Sequence, residues 1–292
     1  MRVTEGMLAE KYLFTEKQIR EKKTKISTQI ATNSKLENVS DDVASALNAV
    51  TVNTQMNRNN AYLKNVQNAS DFVQSSLASL DRAATEMQNI ISVTTNAVNS
   101  LNSSNYATTA QSVKNSLNAI VQSVNEKHNG MSLFGGTNYT DDLASLDANG
   151  KAVVSALDHS GEINVQISGN TKETMNIPGS KVTGTGIFDA INSVIDSLGN
   201  GTMPTQAQLD ALNKANKNLI NVQTLAGEKI NRLDTMTQIL GTQNTNNEKL
   251  LSSIQSVDVA KLSVDLQQQD YLLQVTYKLL AGAFPKSLFD YL

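Results

Sequence analysis

The chain has no cysteine, no tryptophan and only two histidines, His128 and His159, in 292 residues. No disulfide framework, cysteine-ligated zinc, iron–sulfur cluster or cysteine nucleophile is possible, and two imidazoles exclude a multi-histidine metal site. Prolines number three and aromatic residues are 4%, which argues against a large aromatic-rich enzyme core. No apolar run approaches the ~20 residues of a membrane span. The opening MRVTEGMLAEKYLF lacks the apolar stretch and small-residue cleavage site of a secretory signal. Charge of neither sign dominates: 24 basic and 27 acidic residues leave a net −3. That removes a bulk electrostatic case for nucleic acid, which requires a basic face.

What the chain has instead is asparagine, 33 of them, and a hydrophobic fraction of 39% carried mainly by small and aliphatic side chains. They fall in heptads. From Val52, steps of alternately four and three reach Met56, Asn59, Leu63, Val66, Ser70 and Val73, then Leu77, Leu80, Ala84, Met87 and Ile91, then Thr94, Val98 and Leu101. A 3.5-residue period held this long is a coiled-coil seam. Ser40 reads as the helix cap, with Asp41 and Asp42 in the first turn facing the positive end of the helix dipole. One helix over 41–101 would span roughly 92 Å at 1.5 Å per residue, whereas a compact chain of this length has a radius of gyration of only about 19 Å. The expected molecule therefore contains a rod.

The polar turn Asn102–Asn105 predicts an antiparallel second helix on Tyr106, Ala110, Val113, Leu117, Ile120 and Val124, stopping at His128-Asn129-Gly130. Glycine-rich residues 131–186 then carry short apolar runs, Ala152–Val154, Ile163–Ile167 and Met175–Ile177, separated by turn pairs, and read as hairpins. Helical spacing returns at Ile187, Ile191, Ile195 and Leu198. A second, wetter heptad run extends from Leu209 to Ile254, with Gly227 and Gly241 inside it. Both ends carry amphipathic stripes: Leu8, Tyr12, Ile19, Ile26 and Ile30, and then Val259, Leu262, Leu266, Leu273 and Leu280, with Leu272, Val275 and Leu279 widening the second face.

The fold expectation is mainly α: an elongated antiparallel helical coiled-coil rod formed by the N- and C-terminal halves, with a small β-rich insertion in the middle. The expected boundaries are terminal assembly helices at 1–39 and 256–292, a rod at 40–137 and 186–255, and an outward-facing insertion at 138–185.

Candidate chemistry does not survive inspection. Gly184-Thr185-Gly186 has two glycines of a dinucleotide fingerprint, lacks the third, and follows no buried strand. Asp147-Ala148-Asn149-Gly150 opens like a calcium loop, but Lys151 occupies the fifth position and the stretch reads as a turn. The pairs Asp41-Asp42 and Asp141-Asp142 read as capping and solvation, and His128 and His159 as surface residues. No catalytic residue, cofactor or metal ligand is expected.

Several segments resemble the flagellin-like hook-associated proteins of bacterial flagella. They are Met1-Arg2-Val3-Thr4 with Met7-Leu8, Asn38-Val39-Ser40-Asp41-Asp42, Leu133-Phe134-Gly135-Gly136-Thr137, Ile187-Phe188-Asp189 and Gly227-Glu228-Lys229-Ile230-Asn231-Arg232-Leu233. The ending Ser287-Leu288-Phe289-Asp290-Tyr291-Leu292 is similar to that of the family's hook–filament junction members. The family commonly has Pro where this chain has Val39, and a Gly-Lys-Arg-type stretch where this chain reads Asn33-Ser34-Lys35-Leu36.

The resemblance implies a non-enzymatic extracellular subunit, exported unfolded without a cleaved signal. It would assemble through its terminal helices into a ring or helical array. Implied partners are further copies of itself, an adjoining hook-associated protein, flagellin and an export chaperone. Leu288, Tyr291 and Leu292 join the two stripes as expected assembly residues. Two other readings stand beside it: a flagellin-type filament subunit, and a secreted coiled-coil module that binds through its β insertion.

Overall fold

The computed structural model describes residues 5–99 and 105–283. Helix α1 covers Glu5–Thr32, α2 Val43–Val98 and α3 Tyr106–Val124. Three short antiparallel hairpins follow: β1 (Lys127–His128) with β2 (Met131–Ser132), β3 (Ala144–Leu146) with β4 (Ala152–Val154), and β5 (Asn164–Gln166) with β6 (Lys172–Thr174). Helices α4 (Gly179–Thr183), α5 (Ile187–Gly199), α6 (Gln206–Gln255) and α7 (Val259–Ala283) follow among the described residues. The molecule is mainly helical with a small β insertion, as the periodicity implies. It divides into two units, one made of residues 1–57 and 244–292 and the other of 58–243. The unit boundaries fall inside the continuous helices α2 and α6, while the breaks between helices fall at 33–42 and 256–258.

In the unit 58–243, α2 and α6 pair antiparallel. Asn59 donates to Gln243 at 3.3 Å, and Gln223 donates to Asp81 at 2.7 Å, so advancing along one helix means retreating along the other. No α2 seam position from Val52 to Val98 is exposed. From Ala69 onward α2 buries a second line, Ala69, Phe72, Ser76, Ser79, Ala83, Ile90 and Ala97. The packing partners for a second face are α3 and α5: Leu117, Ile120, Ile187 and Ile191 join Phe72, Leu80 and Met87 in one core. The buried serines are satisfied by backbone carbonyls, Ser76 by Phe72 and Ser79 by Ser123, which removes the cost of an unpaired hydroxyl.

Three expectations change at the end of α3. The helix stops at Val124, and Asn129-Gly130 is a hairpin turn with φ of 51° and 81°, the left-handed pair that a two-residue loop demands. His128 therefore lies on β1. Its Nδ1 sits 2.9 Å from Ser75 Oγ and its ring stands edge-on to Phe72. His159 is not a surface residue either, being only 4% exposed. The Leu133–Thr137 loop closes over it, with Gly135 O at 3.2 Å from its Nδ1. This approach needs glycine: a Cβ at Gly136 would lie 2.9 Å from the His159 carbonyl.

The insertion does not stand away from the helices. Leu143, Ala144, Ala152, Ile167, Met175 and Ile177 belong to the helical core. Asn125 and Asn192 side chains hydrogen-bond the β3 and β4 backbones. The β5–β6 hairpin is held from two sides. Asn65 of α2 donates to Gln166 O at 2.8 Å, and Lys229 of α6 donates to Thr174 O at 2.8 Å. Arg232 pairs with Glu173 at 2.9 Å. Burial lowers the Lys229 ammonium below its ordinary range, with Glu173 opposing the shift. Arg232 and Lys229 come from the Gly227–Leu233 motif, so that motif fastens the insertion to α6. The β3 strand was not legible as a strand because Ala144-Ser145-Leu146 carries too weak an alternation.

Candidate assembly surface

The unit formed by residues 1–57 and 244–292 holds most of the expected assembly residues. Helices α1 and α7 pack antiparallel, fixed by polar contacts on their rims. Arg20 donates to Tyr277 Oη at 2.6 Å, Tyr277 donates to Glu16 at 2.9 Å, and Arg20 also pairs with Glu16. Lys23 and Asp270 pair at 2.5 Å. The hydrogen bond to Tyr277, and then the pairing with Glu16, hold the Arg20 guanidinium above its usual value.

Helix α1 ends in two bonds that close a helix terminus around a left-handed residue. Asn33 N–H donates to Ile30 O and Ser34 N–H to Gln29 O, with Asn33 at φ 48°. Glycine is the usual residue there and asparagine the next best. The connector then turns on Asp41, which accepts from the Glu37 and Asn38 amides and from Lys25 Nζ at 2.5 Å. The Lys25 contact, followed by the backbone bonds, lowers the Asp41 carboxyl to about 2. Asp42, not Ser40, caps α2. It accepts from the Ser45 amide at 3.0 Å and hydroxyl at 2.6 Å, and its carbonyl takes the first helical bond from Ala46. Ser40 sits two residues too early to reach an unpaired helix amide.

The stripes are only partly covered. Ile19 and Leu280 are buried; Tyr12, Ile26, Ile30, Leu262, Leu266 and Leu273 are half-buried; Leu8 is exposed. Leu288, Tyr291, Leu292 and Met1–Thr4 lie outside the described residues. The α1–α7 pairing leaves open a second set of apolar side chains, part of which, Leu272 and Leu279, already widens the α7 stripe in the sequence. On α1 these include Met7, Leu13 and Phe14, and on α7 Val264, Tyr271, Leu272 and Leu279. The signal was present in α7 as apolar residues on both sides of the main stripe.

Among the described residues of this unit, five apolar side chains are buried and fifteen large ones are exposed. In the unit 58–243 the corresponding numbers are forty-one and eight. A surface of that character marks an interaction site. Among the described residues no cluster of three or more potential metal ligands occurs, and no helix is long and apolar enough to cross a membrane.

Residues 209–292 match the family model of the bacterial flagellin C-terminal helical region. Solved structures match over most of the chain. A Vibrio parahaemolyticus protein described as a flagellar hook-associated protein superposes with a TM-score of 0.66 at 18% identity, covering 74% of this chain and 100% of that one. The fold is that of the flagellar hook-associated proteins. Flagellar hook-associated protein 3 of Legionella pneumophila has a TM-score of 0.61 at 14% identity, covering 70% of this chain and 98% of its own. Bacillus cereus FlgL has 0.58 at 15%, covering 70% and 100%. No curated protein matches the chain in sequence. The hook-associated fold and the flagellin-type C-terminal region together support a structural flagellar role.

Proposed function

We propose that this chain is a junction subunit between the flagellar hook-associated region and the flagellin filament, exported unfolded and assembled through its terminal helices. The observation that carries the proposal is the inverted burial of the unit 1–57 and 244–292. Its helices form, yet half of its described large apolar side chains are exposed and only Ile19, Val52 and Leu280 are buried. Burying one such side chain is worth roughly 1.5–3 kcal/mol, so packing against neighbours would stabilise what the single chain leaves open. The absence of cysteine suits passage through an export channel, and the ending Ser287–Leu292 favours the junction over the filament itself. Further copies of the chain, an adjoining hook-associated protein and flagellin are its proposed partners, with an export chaperone before assembly.

A strain lacking the gene tests the proposal. We expect intact hooks, no filaments and flagellin released into the medium. Attached filaments of normal length in that strain would overturn it. The flagellin-type match at 209–292 favours a second reading, a filament subunit. Stoichiometry in sheared flagella separates the two: a filament subunit is the bulk protein, a junction subunit a trace at the base.

A further inference from the structure

The first turns of α2 carry an apolar face with no partner. Val43, Leu47 and Val50 are 63%, 65% and 59% exposed, and Val39 just ahead of the helix is equally open. The same turns bury Ala46, Ala49 and Val52, about a third of a turn away around the helix. From Val43 to Asn57 there is no charged residue. The face is therefore unsuited to nucleic acid or to an anionic headgroup layer, and suited to another uncharged apolar helix.

Helix α7 presents such a face. Its side toward α1 is the Leu262, Leu266, Leu273, Thr276 and Leu280 side. About a third of a turn away lie Leu272, Val275 and Leu279, with Val264 and Tyr271 beside them, and all but the half-buried Val275 are exposed. The two faces match in spacing. Val43, Leu47 and Val50 step by four and then three; Leu279, Val275 and Leu272, read backward, step by four and then three. Antiparallel helices with equal spacing interdigitate. The chain's own α7 does not fill the role, because it is held on α1 by Tyr277 and Asp270 and both faces remain open.

We infer that the α2 face of one copy receives the outer face of α7 from a second copy. This rests on the assembly reading above and gives it a specific contact. The two patches are different, so each copy offers one and accepts the other. Such a head-to-tail contact propagates into a ring or a helix rather than ending at a dimer.

The absence of native cysteine makes the test clean. Purified full-length Val50→Cys and Leu272→Cys chains, concentrated separately and as an equal mixture, are treated with a short bis-maleimide, with sedimentation run in parallel. The inference predicts a cross-linked dimer in the mixture and little in either single variant. A Val50→Cys/Leu272→Cys double variant should give a ladder of multimers. Leu47→Glu should weaken association at least tenfold without changing the melting temperature, and Leu47→Met should restore it. Oligomers that form without the 50–272 link, or that cross-link as well within one single variant, overturn this contact and leave the assembly reading standing. A chain that stays monomeric at every concentration also overturns this contact, while the junction reading stands or falls on the strain lacking the gene.

Discussion

The unit 58–243 is built as proteins usually are, with large side chains inside, whereas the unit 1–57 and 244–292 buries little more than Ile19, Ala46, Ala49, Val52 and Leu280 among its described apolar residues. Both contain long helices from the same two heptad runs. The difference lies in what flanks them. In the larger unit, α3, α5 and the hairpins supply the extra faces that α2 packs against. In the smaller one α2 and α6 have no such cover, and α1 and α7 meet along one narrow seam with an ionic and tyrosine rim. Helix formation and core formation are thus separable here: the heptads specify the first throughout, and only the middle of the chain completes the second.

Removing the insertion should break this contrast most severely. Deleting 141–177 takes Leu143, Ala144, Ala152, Ile167, Met175 and Ile177 out of the core and should abolish the main cooperative unfolding transition in a calorimetric scan. An insertion that stands apart from the helices would instead leave that transition in place. Next in size is Leu80→Ala, a truncation at a fully buried position, expected to cost about 2–5 kcal/mol and to lower the main transition. Leu280→Ala in the smaller unit should leave that transition unmoved in the unassembled chain.

Acid should loosen the connector of the smaller unit. Asp41 has its carboxyl depressed to about 2 by Lys25 and the connector amides, against an unperturbed value near 3.9. Its contribution is therefore complete above about pH 4 and is lost as the pH falls through about 2. Amide exchange across 33–42 should quicken over that window relative to pH-corrected reference peptides, and Asp41→Asn should show the faster exchange already at neutral pH. The smallest effect is Gly227→Ala. A Cβ there meets nothing within 4 Å, so the variant should gain about 0.5–1 kcal/mol in α6. If the stabilised variant then assembles poorly, that surface lies against a neighbour.

The long elements were legible because a 3.5-residue period over many turns arises from little besides a packed helical seam. What escaped was whatever depends on small or polar residues. The second buried line of α2 uses Ala69, Ser76, Ser79 and Ala83, which carry almost no hydrophobic signal, and becomes a packing face only because α3 and α5 lie against it. The cap moved from Ser40 to Asp42 because both residue types cap well and only the backbone decides which one reaches the third helical amide. His159 reads as polar, yet the glycines of the Leu133–Thr137 loop bring backbone over it. The insertion's attachment is carried by side chain to backbone bonds from Asn65, Asn125, Asn192 and Lys229, and an asparagine-rich sequence does not reveal which of its amides do this. Of the assembly residues, the stripes and the widened α7 face at Leu272, Val275 and Leu279 were legible, and the uncovered face of α2 was not, since exposure is a property of the packed chain.

The most direct test of the central claim is truncation of the C-terminal helix. A chain lacking residues 263–292 should keep the main unfolding transition of the full-length protein in a calorimetric scan, and should fail to support filaments in a strain without the native gene. A truncated chain that still builds filaments on the hook, or one whose main transition disappears, would contradict the separation of a folded middle from an assembling end.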